Sequence, residues 1–309
     1  MLSGITRTCS RTVRGVPSHV PYRTASNFTP EAWETLELVE QDKILHVKLN
    51  RPKVSNAMSK QMWYELAQLY QTLPGTTVRA VVLSGNGKNF CSGLDLADHA
   101  DLINPAGTGA ADTARHGWYI RRKAGEYQAA TMGAKRVPQP VIGVAHGACI
   151  GGAVDLLCGV DIRVAATDAV FQVKETEIGM AADVGTLQTL PRELSSPSVA
   201  RELIYTGRSW SADEALRYGF VSRVAASKSE ALADALRMAG KIASLSPLAV
   251  QGSKVNVEYA ARHGVDAGLD YNAVWSSSAL QTQDLGKSVQ GIMQGTAVEY
   301  AEVVNPEQQ

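Results

Sequence analysis

Three carboxylates near two glycine-bearing loops are the residues in this chain best placed to do chemistry. Asp155 lies three residues past Gly152, inside the apolar run AVDLLCGV. Glu175 and Asp183 flank the small, apolar segment Ile178-Gly179-Met180-Ala181-Ala182. An acid in such surroundings is costly unless it is paired or functional. Burial also raises a carboxyl pKa and lets the group act as acid or base near neutrality. Glu177 reads as a solvated neighbour, and Asp161, close to Arg163, as a structural ion pair or cap.

The loops supply a second ingredient. One is Gly147-Ala148-Cys149-Ile150-Gly151-Gly152; the other runs from Gly85 through Cys91-Ser92-Gly93-Leu94-Asp95 to Leu96. Each leaves an apolar strand-like run, so each can aim backbone N–H groups at one point and form an oxyanion hole. The expected donors are the N–H groups of Leu94 and Gly152, the latter helped by the positive end of the helix it starts. Glycines alone would read as tight turns. Together with three acids they suggest carbanion chemistry at a carbonyl.

Other chemistries fit less well. The six histidines (His19, His46, His99, His116, His146 and His263) show no metal-ligand spacing. His146, just before the first glycine turn, reads as a packing residue. Cys9, Cys91, Cys149 and Cys158 show no CxxC spacing, which points away from zinc and from a disulfide framework. There is no GxSxG elbow, GACIGG only loosely matches a dinucleotide fingerprint, and Lys88 is not followed by Ser or Thr as in a P-loop.

The elements that must position these groups alternate. Leu36–Val39 and Ile44–Leu49 read as strands joined by a turn at Gln41–Lys43, and Arg51-Pro52 stops the second. Ser59 should cap a helix carrying Met62, Leu66, Leu69 and Tyr70, which Pro74-Gly75 ends. Val78–Ser84 reads as a strand buried on both faces. Asp101–Thr113 reads as a loop, 114–135 as a long helix with a solvated basic face, Val141–Ala145 and Ile162–Ala165 as strands, with a helix through Leu157 between them. Ser211–Tyr218 reads as a capped helix. From about Ser227 only helices follow, at 231–243, 247–259, 265–280 and 282–293. Strand, turn and helix in repeated order predict an α/β fold with a parallel sheet.

The chain has 309 residues, 45% of them apolar, and 30 basic against 30 acidic residues. That balance gives no basic field for nucleic acid or membranes, and no apolar run reaches the roughly 18 residues of a span. Residues 1–26 hold Arg7, Arg11, Arg14 and Arg23, many Ser and Thr, and no acid. This predicts a mitochondrial transit peptide and a matrix location. The C-terminal Pro-Glu-Gln-Gln is not a Ser-Lys-Leu type of peroxisomal address.

Four segments, LNRPKVSNAMS, NFCSGLDL, HGACIGGAVDLLCGVDIR and FQVKETEIGMAADVGTLQTLPR, resemble the crotonase (enoyl-CoA hydratase/isomerase) superfamily. The resemblance covers Leu36 to the C-terminus. It implies a spiral of ββα units over residues 27–226, and a helical region over 227–309 that builds trimers and a homo-hexamer. It also implies an acyl-CoA thioester as substrate, bound by Cys91, Ser92, Gly93, Leu94, Asp95 and Gly152, and no metal or redox cofactor. Hydratases of the family carry glutamates at the positions of Asp155 and Glu175 and glycine at that of Asp183. The trio here, with GMAADVGTLQ, SPLAVQGSK and LDYNAVWSSSALQTQD, is similar to the dienoyl-CoA isomerase branch. Ala153 stands where a third glycine is common. The branch implies isomerisation of 3,5-dienoyl-CoA to 2,4-dienoyl-CoA in fatty-acid β-oxidation, with Asp183 serving C2, Glu175 serving C6, and Asp155 tuning the pair. The alternatives are an enoyl-CoA hydratase and a non-catalytic scaffold or RNA-binding homologue; the net acidity left on removing residues 1–26 speaks against RNA.

Overall fold

The computed structural model describes residues 33–100 and 112–303. The expected transit segment and most of the expected loop at 101–113 lie outside these residues.

The chain opens with a hairpin, β1 (Leu36–Gln41) and β2 (Ile44–Leu49), in antiparallel register Leu36 to Leu49. Its two-residue turn, Asp42-Lys43, puts both residues at positive φ without a glycine. Such a turn matches the twist of the flanking strands. Helix α1 (Lys60–Thr72) is capped as expected, Ser59 Oγ accepting from Met62 N at 3.3 Å, and buries Met62, Leu66, Leu69 and Tyr70. Strand β3 (Ala80–Gly85) is buried along its whole length. It starts two residues later than its valine run suggests.

Helix α2 (Thr113–Arg136) then leads to β4 (Val141–Ala145). The glycine turn that follows contains a short strand, β5 (Ala148–Ile150), before helix α3 (Gly152–Gly159) and strand β6 (Ile162–Ala166). Next come β7 (Val170–Gln172), a 3-10 turn at Glu175–Ile178, α4 (Thr186–Glu193) and α5 (Pro197–Thr206). Strand β8 (Trp210–Ser211), α6 (Ala212–Arg217) and β9 (Arg223–Ala225) complete the core. Helix α6 carries a reciprocal capping box between Ser211 and Glu214, so its start was readable.

The six-stranded sheet has the order β1-β2-β3-β4-β6-β9, and every pair after the first is parallel. A second sheet, β5-β7-β8, stands beside it. One face of the large sheet packs on α7 (Lys228–Ala243), whose Ala231, Ala235 and Ala239 meet Val82, Ile142, Val144 and Val164. Helices α8 (Pro247–His263), α9 (Val265–Ala279) and α10 (Gln283–Gln294) follow. The expected α/β architecture with C-terminal helices is thus borne out.

Two local expectations are corrected. Asp161 does not pair with Arg163: it accepts from Lys254 Nζ at 2.7 Å and from Val141 N at 2.7 Å. Lys254 also donates to the carbonyls of Ala134 and Gln139, so a buried cation from α8 locks the end of α2 to the start of β4. Arg163 pairs instead with Glu193 at 2.6 Å. The basic face of α2 is solvated at Arg121 and Arg122, whereas Lys135 is half-buried against Glu193.

Candidate active site

Two loops meet first. Cys91 and Cys149 form a parallel bridge: Cys91 N donates to Ala148 O at 3.0 Å, and Ile150 N to Cys91 O at 3.1 Å. Met58 clamps the far side, its N donating to Gly93 O at 2.8 Å and its O accepting from Asp95 N at 3.2 Å. Gly93 sits at φ +91°, and a Cβ there would lie 2.8 Å from Ile150 O. Only glycine lets the loops approach so closely.

Within this frame most N–H groups are used internally. Gly93 N donates to Cys91 Sγ at 3.4 Å, and Gly151 N to Gln172 O at 2.8 Å. The N–H groups of Leu94 and Gly152 have no acceptor among the described residues. Gly152 N is the first of α3, where N–H groups lack intrahelical partners and the helix field is positive. Met58 and Trp63 pack against Gly152, a Cβ on which would sit 3.2 Å from the Met58 sulfur. Trp63 in turn stacks on Tyr127 of α2 with ring centroids 4.7 Å apart.

The other residues of the second loop hold it in place. Cys91 is fully buried, and burial pushes its thiol up to about 12. Ser92 N donates to Ser55 O. Asp95 accepts from Arg51 at 2.9 Å, a hydrogen bond that keeps its carboxyl below the usual range. Asp95 is therefore a loop anchor, tied up in an ion pair.

The three acids share one electrostatic environment. Asp155 is fully buried; its Oδ1 accepts from Thr186 N at 2.6 Å, while Oδ2 has no hydrogen-bond partner. Burial, then the charges of Glu175 and Asp183, push its pKa up to about 7. Glu175 is buried at the start of its 3-10 turn, with Oε2 unpartnered. Burial first, then Asp183, raises it. Its Oε1 lies 3.1 Å from where a Gly151 Cβ would stand, which puts the carboxyl against the oxyanion loop. Asp183 is more exposed than its neighbours suggested, because Ile178, Gly179, Met180 and Ala181 all face outward. Packing around its carboxyl still raises its pKa. Glu177 is exposed and paired with Lys174. His146 is buried behind the glycine turn, and its carbonyl accepts from Phe90 N.

The sequence reading missed the groups that hold Asp183. Gln128 Nε2 donates to Asp183 O at 2.8 Å, Thr131 Oγ1 donates to Val184 O, and Met132 packs against Gly185. Their only sequence signal is adjacency on one face of α2. Taken together, two free N–H donors beside three carboxyls of raised pKa suit proton transfer at carbons next to a carbonyl.

Comparison with known proteins agrees with this geometry. Residues 39–301 match the family model described as enoyl-CoA hydratase/isomerase. The chain is 48% identical over 265 residues to "Delta(3,5)-Delta(2,4)-dienoyl-CoA isomerase, mitochondrial" of Rattus norvegicus, covering 85% of this chain and 80% of the relative. It is 37% identical to the peroxisomal protein of that activity from Arabidopsis thaliana, over 89% of this chain and 100% of the relative. The crystal structure of enoyl-CoA hydratase from Bacillus anthracis superposes with a TM-score of 0.77 at 27% identity, over 86% of this chain and 99% of that one. By its fold, its loops and these matches, the chain belongs to the enoyl-CoA hydratase/isomerase family.

Proposed function

We propose that the protein isomerises 3,5-dienoyl-CoA to 2,4-dienoyl-CoA. The observation that carries this is the third acid: Asp183 adds a proton-transfer group beyond the Asp155–Glu175 pair, and its carboxyl also has a raised pKa. Hydration needs one compact pair around a water, whereas moving two double bonds needs acids at separated carbons. The identity to relatives carrying this activity supports the same reading.

The thioester oxygen accepts from Leu94 N and Gly152 N, and both bonds strengthen as negative charge develops. C2 is the carbon next to that carbonyl. Asp183 takes the C2 proton and Glu175 delivers one to C6, the order that family resemblance implies. The C2–H electrons delocalise through the diene, the C6–H bond forms, and a proton passing from Asp183 to Glu175 restores the starting state. Burial first, then the Asp183 charge, raises the pKa of Glu175, a shift toward the acid form that a proton donor needs. Asp155, bonded to Thr186 N, orients the segment that bears Asp183. The reaction calls for no metal or redox cofactor, coenzyme A being part of the substrate. A mitochondrial location is supported by the rat relative and by the Arg-rich start.

Ultraviolet absorbance on mixing the protein with 3,5-octadienoyl-CoA tests the proposal. Growth of the conjugated 2,4-dienoyl band is expected. Loss of a 2-enoyl-CoA band without isomerisation would make it a hydratase, and silence with both substrates would overturn the acyl-CoA reading.

A further inference from the structure

We propose that Asn56 is a positioning residue for the oxyanion hole: its buried amide ties residues 55–58 to residues 86–90 and so sets where the Leu94 N–H points. The inference rests on the reading that Leu94 N and Gly152 N receive the thioester oxygen.

The aim of Leu94 N comes from a neighbouring segment. Met58 bridges in parallel to Leu94, its N donating to Gly93 O at 2.8 Å and its O accepting from Asp95 N at 3.2 Å. In a trans peptide the C=O and the N–H point in opposite directions. Met58 holds the carbonyl of the Gly93–Leu94 peptide, so the N–H of that same peptide must face away from Met58. Ser92 N, donating to Ser55 O at 3.0 Å, fixes the same register from the other side of Gly93. The Leu94 donor is thus only as well placed as residues 55–58 are.

Asn56 places those residues. It is fully buried and sits at φ +53°. Its Oδ1 accepts from Arg51 N at 2.8 Å, closing the turn on its own segment. Its Nδ2 lies 2.8 Å from Asn86 O, 2.9 Å from Asn89 O and 3.1 Å from Phe90 O. One amide group therefore serves three carbonyls of the loop that leads to Leu94. The fit is tight: a Cβ on Gly85 would lie 2.6 Å from Phe90 O and 3.0 Å from Asn56 Nδ2. Asn89 extends the link to the other loop, its Oδ1 accepting from Ala148 N at 3.0 Å.

Asn56→Asp keeps an oxygen for Arg51 N but, when ionised, offers no hydrogen to the three carbonyls. We expect kcat for isomerisation of 3,5-octadienoyl-CoA to fall roughly 10- to 100-fold, the effect of misplacing a catalytic group by about 1 Å. Affinity for octanoyl-CoA, read by calorimetry, should stay close to that of the parent, because the donors matter most once charge develops on the oxygen. Exchange at C2 in deuterium oxide, read by mass spectrometry, should fall in step with isomerisation, since both pass through one dienolate. Protonation gives an aspartate at this position one O–H to donate, so the ratio of variant to parent kcat should rise as pH falls from about 9 to about 5. Other charged or titratable groups meet these segments: Arg51 with Asp95, Lys53, Lys88, Lys228 on Gly85 O and Gly87 O, and His146, whose carbonyl meets Phe90 N. The parent shares them all, so the ratio isolates residue 56. Asn56→Gly suits the positive φ and lacks the amide altogether. Its kcat should fall in the same range, with a ratio that does not change with pH. Parental kcat in either variant would overturn the inference. So would a flat ratio in Asn56→Asp, affinity lost in step with kcat, or failure of both variants to fold. If the parent enzyme itself neither isomerises nor exchanges, the oxyanion reading fails, and the two failures are thereby told apart.

Discussion

Asp155 has one oxygen bonded to Thr186 N and one that meets no donor, inside a helix whose residues are all buried. A carboxylate so placed binds its proton more tightly folded than unfolded. Its pKa rises from 3.8 to about 7 on folding, chiefly through burial. The folded state therefore holds the extra proton between those values, and stability falls as pH rises through that window, by a few kcal/mol at most. Asp155→Asn keeps an oxygen for Thr186 N and cannot ionise. It should melt higher than the parent at about pH 8, with the gap closing toward about pH 4. Equal melting temperatures at both pH values would mean that Asp155 is solvated or paired in solution. At this scale the sequence was informative about residue type and poor about surroundings. Asp155 was legible as a buried acid because apolar residues flank it on both sides. Asp183 was not legible as a half-open one, because Ile178, Gly179, Met180 and Ala181, between it and Glu175, turn outward. Asp161 looked paired to Arg163 two residues away, while its partner, Lys254, lies 93 residues along the chain.

The glycine loops work as one element, although they are far apart in sequence. Their parallel bridge at Cys91 and Cys149 sets the relative height of the Leu94 and Gly152 donors, and Gly93 sets their separation. Gly93→Ala places a methyl 2.8 Å from Ile150 O on a backbone at φ +91°. The loops must part, and strain of roughly 1–3 kcal/mol enters the site. Losing one oxyanion donor lowers kcat roughly 100- to 1000-fold. The variant should therefore show a loss in that range while circular dichroism still reports a folded chain. Near-parental kcat would place the oxyanion donors elsewhere. Elements with their own punctuation were readable: Ser59 caps α1, and Ser211 with Glu214 caps α6. The two- and three-residue strands β5, β7, β8 and β9 were not, since a period of two needs more residues than they have. Their stability comes from partners such as Phe171 stacked on Trp210, ring centroids 5.6 Å apart. Helix α4 was hidden for a different reason. Its N-cap, Gly185, offers no side-chain cap, and it contains Pro191, both of which argue against a helix when read locally.

Across the whole molecule, α10 is built inside out for a lone chain. Asp284, Ser288 and Gly291 face the core: Asp284 accepts from Ser246 Oγ at 2.5 Å, Ser288 meets Tyr300 Oη at 2.8 Å, and Val298 fills the space beside Gly291. Leu285, Val289, Ile292 and Met293, which share the opposite face, point to solvent, the last two 82% exposed. Val265, Leu269, Val274 and Leu280, on and just after α9, are also exposed. Arg79 anchors the segment that follows α10, donating to Tyr300 O and Glu302, so this face is held rigidly outward. A stripe at i, i+4, i+7 and i+8 is the pattern of a helix that buries itself against something. Fully burying one such side chain is worth roughly 1.5–3 kcal/mol, and in a closed ring each contact recurs at every interface. Such a surface suits the self-association that family resemblance implies, with a homo-hexamer as the expected state. In sedimentation velocity the parent should run as an assembly of six chains. Ile292→Asp with Met293→Asp places two charges in each contact. It should shift the protein toward single chains while α7 keeps its alanine face on the sheet and the core stays folded. A parent that sediments as a monomer, or a double variant that keeps its mass, would mean that this stripe is covered by something other than its own copies.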